Sequence, residues 1–211
     1  AILVLCGVAG VQSQSITVDR QMKRYKVPRL AFINKLDRTG ANPNKVTQDL
    51  RDKLHLNAVM FQIPIGIEAD LQGSIDLFSR RAVYNKGERG ETLEDGEIPA
   101  DMVDFVEEKR MEMLEAVSMF DDSIMESLLE GEEPDADLFH ATVRKAVIAN
   151  ELVPVYMGSA FKNRGVQLML DAVNRYLPSP LDVTNVARKV GAEDEIVQLK
   201  PSADEPLVAM A

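Results

Sequence analysis

The 211-residue sequence predicts an α/β protein with a mainly parallel, doubly wound sheet and an inserted α+β segment. Three apolar runs at 1–8, 30–33 and 152–157 are too short for core helices and indicate buried strands. Segments with helical spacing follow them, which is typical of a parallel sheet. Positions 34 and 159, just after the second and third runs, are 125 positions apart, whereas a strand–helix–strand unit needs only about 30 residues or more. A segment of domain size is therefore inserted between these two strands.

The first run contains β-branched residues and predicts a central strand covered on both faces, ended by Gly7 and Gly10. Its Cys6 is the only cysteine, cannot form an internal disulfide, and is predicted to be a small buried side chain in a reducing compartment. A helix is predicted over 12–25, and its inward positions are Ile16, Val18, Met22 and Tyr25.

The second strand ends in the tetrad Asn34, Lys35, Leu36 and Asp37. An ionised carboxylate accepts two hydrogen bonds side by side, which matches the adjacent ring N–H and exocyclic amine of guanine. Adenine has no such pair of donors. Asp37 is therefore the candidate specificity residue. Asn34 could donate to the opposite edge of the base or tie neighbouring loops together, and the Lys35 stem could lie along the base. The alternative is an ordinary polar turn after a strand.

Beyond this tetrad, Asn42 is predicted to cap a helix over 43–54, and the insertion begins near Asn57. Neither of the two histidines has a Cys or His partner at metal-ligand spacing. Within the insertion, strands are predicted at 59–67, 73–78 and 82–84, followed by a loop at 85–97. A helix with an apolar stripe rich in Met is predicted from 99 to about 120. The next helix can be capped by Asp121 or Asp122, its Ser123 and Glu126 fit a capping box, and Gly131 ends it; another helix follows 135.

The third strand is followed by Gly158, Ser159 and Ala160, small residues that would let backbone N–H groups approach a base carbonyl. An amphipathic helix over 166–177 comes next and ends at two prolines. Residues 181–205 mix charge, Gly and Pro and indicate a linker, and 207–210 could begin a further strand.

The net charge of −10 is unevenly distributed. Residues 1–56 carry 10 basic and 4 acidic side chains, a net of +6, whereas 57–150 carry 8 and 22, a net of −14. The acidic insertion should avoid nucleic acid phosphates and favour basic protein surfaces, or else form a solvated helical surface that maintains solubility. No apolar run approaches the ~20 residues of a membrane helix, and the start without Met inside an apolar run predicts a piece of a longer chain.

Four stretches together resemble elongation factor G, the ribosomal translocase among the translational GTPases: Gly10-Val-Gln-Ser-Gln14, Arg20-Gln-Met-Lys-Arg-Tyr25, Asn34-Lys-Leu-Asp-Arg38 and Gly158-Ser-Ala-Phe-Lys-Asn-Arg-Gly-Val-Gln167. The resemblance runs from residue 1 to about 180 and implies a partial P-loop GTPase fold. It assigns 1–56 and 151–180 to the C-terminal part of the GTPase domain, 57–150 to an inserted acidic α+β subdomain, and 181–211 to a linker and the start of a β-barrel domain.

The same resemblance implies that GTP or GDP binds with its guanine at Asn34, Lys35, Asp37, Ser159 and Ala160. The sequence contains no Gly-x-x-x-x-Gly-Lys-Ser/Thr and no Asp-x-x-Gly-His. The catalytic residues and the Mg²⁺ ligands are thus expected outside this chain, which alone should not hydrolyse GTP and should bind guanine weakly at best. Two family positions differ, Phe161 for Leu and Arg164 for Lys, and neither change threatens guanine binding.

The implied partners are the ribosome, its stalk proteins and ribosomal RNA, with no membrane and no DNA, and the protein is expected to be a monomer. The sequence at 17–24 resembles the mitochondrial-type branch of the family, whose relatives also occur in some bacteria. Both bacterial cytoplasm and mitochondrial matrix are therefore possible locations of the protein. Two alternatives stand beside translocation. One is a ribosome-recycling paralogue or another ribosome-linked GTPase, and the other is a non-enzymatic module that binds stalk proteins through the acidic insertion.

Overall fold

The computed structural model describes residues 1–87, 89–188 and 195–208, which fall into the units Ala1–Leu177 and Pro178–Ala211. The first unit begins with alternating strands and helices and then continues with four strands and three helices before the last strand–helix pair. In chain order its elements are β1 (Ile2–Cys6), α1 (Ser13–Arg24), β2 (Leu30–Asn34), α2 (Pro43–Leu54), β3 (Ala58–Met60), β4 (Gln62–Ile65), β5 (Gly73–Asp76), β6 (Arg81–Lys86), β7 (Thr92–Gly96), α3 (Val103–Ser118), α4 (Asp122–Glu130), α5 (Ala136–Ile148), β8 (Val153–Met157) and α6 (Val166–Tyr176).

The predicted parallel sheet is confirmed, with strand order β1-β2-β8-β3 and every neighbouring pair parallel. The registers Cys6↔Asn34 and Ile33↔Met157 bring the carboxyl ends of β1, β2 and β8 to one edge of the sheet. Two polar loops that are far apart in sequence therefore start side by side.

The prediction that β1 is covered on both faces is wrong for the described chain. Among the described strands β1 pairs only with β2, and Val4 is 56% exposed. Two inward positions predicted for α1 are wrong as well, because Val18 and Tyr25 are exposed while Asp19 is buried. Burial of Asp19 is possible because Arg29, also buried, neutralises its charge.

The chain moves from the first sheet to a second one at Phe61, inside what the sequence predicts as one strand. β3 ends at Met60, and β4 starts an antiparallel sheet of order β4-β5-β6-β7. The N–H of Phe61 donates to the Val155 carbonyl at 3.1 Å, and its carbonyl accepts from Leu77 at 3.0 Å. Phe61 thus bonds to β8 of the first sheet and to the residue that follows β5 of the second. The uninterrupted apolar run conceals the change of sheet because both segments are buried.

Part of the predicted loop 85–97 is instead strand. β6 continues through Lys86, and β7 pairs with it along its whole length, with Tyr84 opposite Glu94. All five residues of β7 are exposed, so the strand lacks the apolar alternation by which strands are recognised in sequence. Gly96 lies under the Tyr84 ring, where a Cβ would come within 2.6 Å of Cε2.

The helices of the insertion bury one apolar side each, as predicted. Val106, Met113 and Val117 of α3 are buried in the same core as Phe139 and Val143 of α5, so the Met-containing stripe is core. Helix α4 is capped by Asp121, one of the two predicted caps, whose carboxylate accepts from the Ser123 N–H at 3.0 Å. The capping box predicted from Ser123 and Glu126 does not form.

The second unit contains two short strands, β9 (Asn185–Arg188) and β10 (Ile196–Leu199), which pair antiparallel. Both lie in the segment that the sequence predicts to be a linker. Of the strand predicted to begin at 207, residues 207–208 are not in a strand, and 209–210 lie outside the described residues. No helix in the described ranges is both long and apolar enough to cross a membrane.

Candidate functional site

The loops after β2 and β8 are joined by the Asn34 side chain. Its Oδ1 accepts a hydrogen bond from the Lys35 N–H at 2.7 Å and another from the Ala160 N–H at 2.9 Å, 126 positions away. Of the two roles that the sequence leaves open for Asn34, the structure therefore shows the tie between loops.

Backbone hydrogen bonds hold the two loops at a fixed separation. The Gly158 N–H donates to the Ile33 carbonyl at 2.9 Å, and the Leu36 N–H donates to the Gly158 carbonyl at 3.0 Å. A Cβ at Gly158 would lie 2.0 Å from the Arg164 carbonyl oxygen, so only glycine fits there without a shift of backbone. Glycine at 158 is thus required by packing within the loop, whereas the approach of a base carbonyl to the small residues stays a prediction.

Asp37 carries the site's unusual polar group. Its side chain is only 10% exposed, and its Oδ1 is buried with no hydrogen-bond partner among the described residues. The nearest cation is Arg38, whose Nε lies 3.9 Å from the other oxygen and whose side chain is 69% exposed. Because buried polar atoms in proteins nearly always have partners, an unpartnered carboxylate oxygen here is an exception that contacts within the fold do not explain.

Lys35 and the loop after β8 complete the arrangement. Lys35 has φ of 66°, a left-handed conformation that non-glycine residues seldom adopt, and it is exposed. Its backbone N–H is held by Asn34, which stabilises this conformation and leaves the side chain facing solvent. Strained backbone of this kind concentrates at functional sites.

Ser159 and Ala160 differ in their surroundings. Ser159 is fully buried, exchanges two backbone hydrogen bonds with Arg164 at 2.9 and 3.0 Å, and accepts at Oγ from the Lys162 N–H at 3.2 Å. Ala160 is exposed, and its N–H is bonded to Asn34. A base carbonyl at this loop would therefore share the Ala160 N–H with Asn34 Oδ1, while Ser159 shapes the turn.

Cys6 is paired in register with Asn34 and is half-buried, less buried than the sequence predicts. Hydrogen bonding from the Ala9 backbone lowers the pKa of its thiol, burial opposes this, and the Val8 backbone and the charge of Lys35 act in the lowering direction. Within the described ranges, no three His, Cys, Asp or Glu side chains are grouped as ligands for a metal ion.

Two amide side chains that the sequence analysis does not single out also contact the loop after β8. Gln62 of β4 is fully buried, and its Nε2 donates to the Met157 carbonyl at 3.0 Å. Asn85 of β6 is 5% exposed and contacts the far side of the same loop. Neither belongs to a motif, and only their burial in the fold reveals them.

Comparisons with known proteins agree on one family. The family model described as the elongation factor Tu GTP binding domain matches residues 1–179. Elongation factor G 1 of Desulfotalea psychrophila is 54% identical over 212 residues, covering all of this chain and 30% of that protein. Elongation factor G-1, mitochondrial, of Arabidopsis thaliana is 53% identical over 211 residues, again covering the whole chain and 28% of the relative.

A solved structure has a similar fold. The crystal structure of a protein from Thermus thermophilus superposes with a TM-score of 0.74 at 28% identity, over 84% of this chain and 26% of the other. The chain thus spans less than a third of the length of each of these three relatives.

Proposed function

The chain belongs to the family of the elongation factor Tu GTP-binding domain, and from that premise we propose that it is the guanine-recognising part of an elongation factor G. The complete protein would bind and hydrolyse GTP and so drive the movement of tRNA and mRNA during translation. Similarity to bacterial and mitochondrial elongation factor G along the whole chain supports this assignment.

The observation that carries the proposal is the Asp37 carboxylate. It is almost buried, retains an oxygen without a partner among the described residues, and lies one residue beyond Leu36, whose N–H is fixed to Gly158. Two acceptor oxygens suit the ring N–H and exocyclic amine of guanine. Asn34 and Ala160 would meet the opposite edge of the base, and Ser159 would hold that loop in shape.

Lys35 would lie along the plane of the base with its apolar stem. We assign guanine recognition to 1–56 and 151–180, treat 57–150 as an inserted subdomain, and assign 181–211 to the passage into the next domain. The sequence lacks a Gly-x-x-x-x-Gly-Lys-Ser/Thr loop, so phosphate and Mg²⁺ binding belong to the rest of the complete protein, and this chain alone does not hydrolyse GTP.

The ribosome is the proposed partner, including its stalk proteins and ribosomal RNA, and the complete protein would act as a monomer. The acidic face of α3 supports a basic protein partner for the insertion, since Glu107, Glu108 and Glu112 have side chains 47%, 62% and 46% exposed. The relatives include bacterial and mitochondrial proteins, and both bacterial cytoplasm and mitochondrial matrix fit the proposal.

The substitution Asp37→Asn in the complete protein tests guanine recognition. An amide offers one acceptor and one donor in place of two acceptors, so GDP affinity should fall roughly 10- to 100-fold while affinity for xanthosine diphosphate rises. Fluorescence titration with both nucleotides measures the change. Asp52→Asn is the matched control, because Asp52 is exposed on α2 and should leave both affinities unchanged. An unaltered guanine preference in Asp37→Asn would refute the role of Asp37.

A further inference from the structure

The loop that carries Ser159 and Ala160 is braced by the second sheet, and we propose that Asn85 is a positioning residue for nucleotide binding. It does not belong to the base site itself. Asn85 is on β6, in the insertion, and its side chain reaches the loop after β8 about 80 positions further along the chain. The inference rests on the proposed guanine site and adds that the insertion determines the shape of one of its two loops.

The Asn85 amide uses both of its ends on this contact. Nδ2 donates to the Asn163 carbonyl at 3.1 Å and to the Gly90 carbonyl at 3.2 Å, and it lies 3.4 Å from Gln167 Oε1. Oδ1 accepts from the Gly165 N–H at 3.4 Å. An amide 5% exposed and surrounded by three oxygens and one N–H is held in a single orientation.

A second amide holds the start of the same loop. Gln62 Nε2 donates to the Met157 carbonyl, the last one before Gly158, and the same Nε2 would lie 2.8 Å from a Cβ on Gly165. Gln62 and Asn85 thus contact the loop near both of its ends, and both come from the antiparallel sheet. The loop is consequently fixed from outside as well as by its own Ser159–Arg164 pair.

The backbone of the β6–β7 turn presses against the loop directly. Gly90 has φ of 62°, and a Cβ there would come within 2.5 Å of the Lys162 carbonyl oxygen and 2.9 Å of that of Asn163. Asn163 itself has φ of 52°, a conformation that costs free energy in a non-glycine residue and needs support from its surroundings. The contact with Asn85 and the turn supplies that support.

Hydrogen bonds lead from the brace to the base site. The Asn163 N–H donates to the Ala160 carbonyl at 3.2 Å, and the Ala160 N–H donates to Asn34 Oδ1 at 2.9 Å. Asn85 therefore acts through Asn163 and Ala160 rather than on the nucleotide. A displaced Asn163 would shift Ala160 relative to Asn34 and weaken base binding without touching Asp37.

The test is Asn85→Asp in the complete protein. The substitution preserves size and the acceptor for Gly165 but turns the donor for three oxygens into a second acceptor, so the loop should move away. GDP affinity, measured by fluorescence titration, should fall about tenfold, equivalent to ~1.4 kcal/mol. Amide hydrogen exchange without nucleotide should accelerate at Ala160 to Gly165 more than elsewhere.

Asn57→Ala is the matched control, because Asn57 also donates its side-chain amide across the chain, to the Glu151 carbonyl at 3.1 Å. That bond lies at the opposite end of β8, so GDP affinity and loop exchange should stay at wild-type values. If Asn85→Asp does not fold, Gly90→Ala disturbs the same contact from its other side and should show the same two effects.

Two results would overturn the inference. One is a folded Asn85→Asp protein with wild-type GDP affinity. The other is a lower GDP affinity with exchange that is faster over the whole second sheet and not concentrated at Ala160 to Gly165, which would indicate a merely structural role. If Asp37→Asn loses guanine preference while Asn85→Asp keeps wild-type GDP affinity and loop exchange, the positioning role of Asn85 is refuted and the proposed function is supported. If the wild-type protein shows no guanine preference, the proposed function is refuted. Amide exchange at Ala160 to Gly165 in Asn85→Asp then still tests whether Asn85 holds the loop.

Discussion

A nearly buried carboxylate lies near each end of strand β2, Asp19 of α1 at the amino end and Asp37 at the carboxyl end, and the two differ in their partners. At the amino end Asp19 is bound by the buried Arg29 on one oxygen and by Lys23 Nζ at 2.8 Å on the other. At the carboxyl end Asp37 has one oxygen without a partner among the described residues, and its other oxygen is 3.9 Å from Nε of the exposed Arg38.

The difference separates a carboxylate whose partners lie within the fold from one that, under the proposed function, accepts hydrogen bonds from guanine. A buried charge is tolerated when its partners are inside the protein, and removing a partner then destabilises the fold. A nearly buried carboxylate with an unused oxygen contributes little to the fold in this way. Its free energy of interaction becomes available only when a donor arrives.

The largest expected effect is that of Asp19→Ala. It leaves Arg29 buried with its principal anionic partner removed and should lower the free energy of unfolding by about 3–5 kcal/mol. Urea denaturation of the 211-residue chain measures the loss. Asp95→Ala is the control, because the Arg81–Asp95 pair is exposed, with side chains 52% and 63% accessible, and should contribute less than about 1 kcal/mol. Equal losses of unfolding free energy in Asp19→Ala and Asp95→Ala would show that the Asp19–Arg29 ion pair near the amino end of β2 does not stabilise the fold.

Gly158→Ala should have the next largest effect, because the new Cβ meets a backbone oxygen rather than a flexible side chain. We expect a loss of about 1–3 kcal/mol in unfolding free energy, since the loops must move apart to make room. Differential scanning calorimetry against wild type measures it. A fully stable variant would mean that backbone packing at the carboxyl end of the sheet is looser than the structure indicates.

The smallest effect belongs to Asp37→Asn, whose stability should remain within about 1 kcal/mol of wild type or rise slightly. The amide removes a poorly compensated charge and leaves the Leu36 and Gly158 hydrogen bonds intact. The same urea titration applies. A loss above about 2 kcal/mol would place Asp37 with Asp19 among the residues that stabilise the fold and would remove the contrast between the two ends.

Short-range signals account for what the sequence predicted correctly. The apolar runs of β1, β2 and β8, and the Asn42 cap whose Oδ1 accepts from the Lys45 N–H at 2.9 Å, depend on neighbouring residues alone. The tetrad ending in Asp37 is likewise contiguous. These features gave the parallel sheet, the insertion and the candidate base site.

The features that the sequence missed depend on partners far along the chain. Phe61 joins two sheets, β7 has no buried residue, and Asp19 is buried because Arg29 faces it. Asn85 was missed for the same reason, since the contacts of an amide in a strand depend on which carbonyls the fold places around it.

The sequence by itself determined the strands of the parallel sheet and the helices beside them, and it indicated which side chains are candidates for binding guanine. The tertiary structure alone decided that Asn34 reaches Ala160, that Asp37 retains an unpartnered oxygen, and that the Asn85 side chain contacts the loop after β8. Local propensity depends on a few consecutive residues. The energy of a buried polar group depends on which atoms surround it, and strand register and sheet order bring those atoms together.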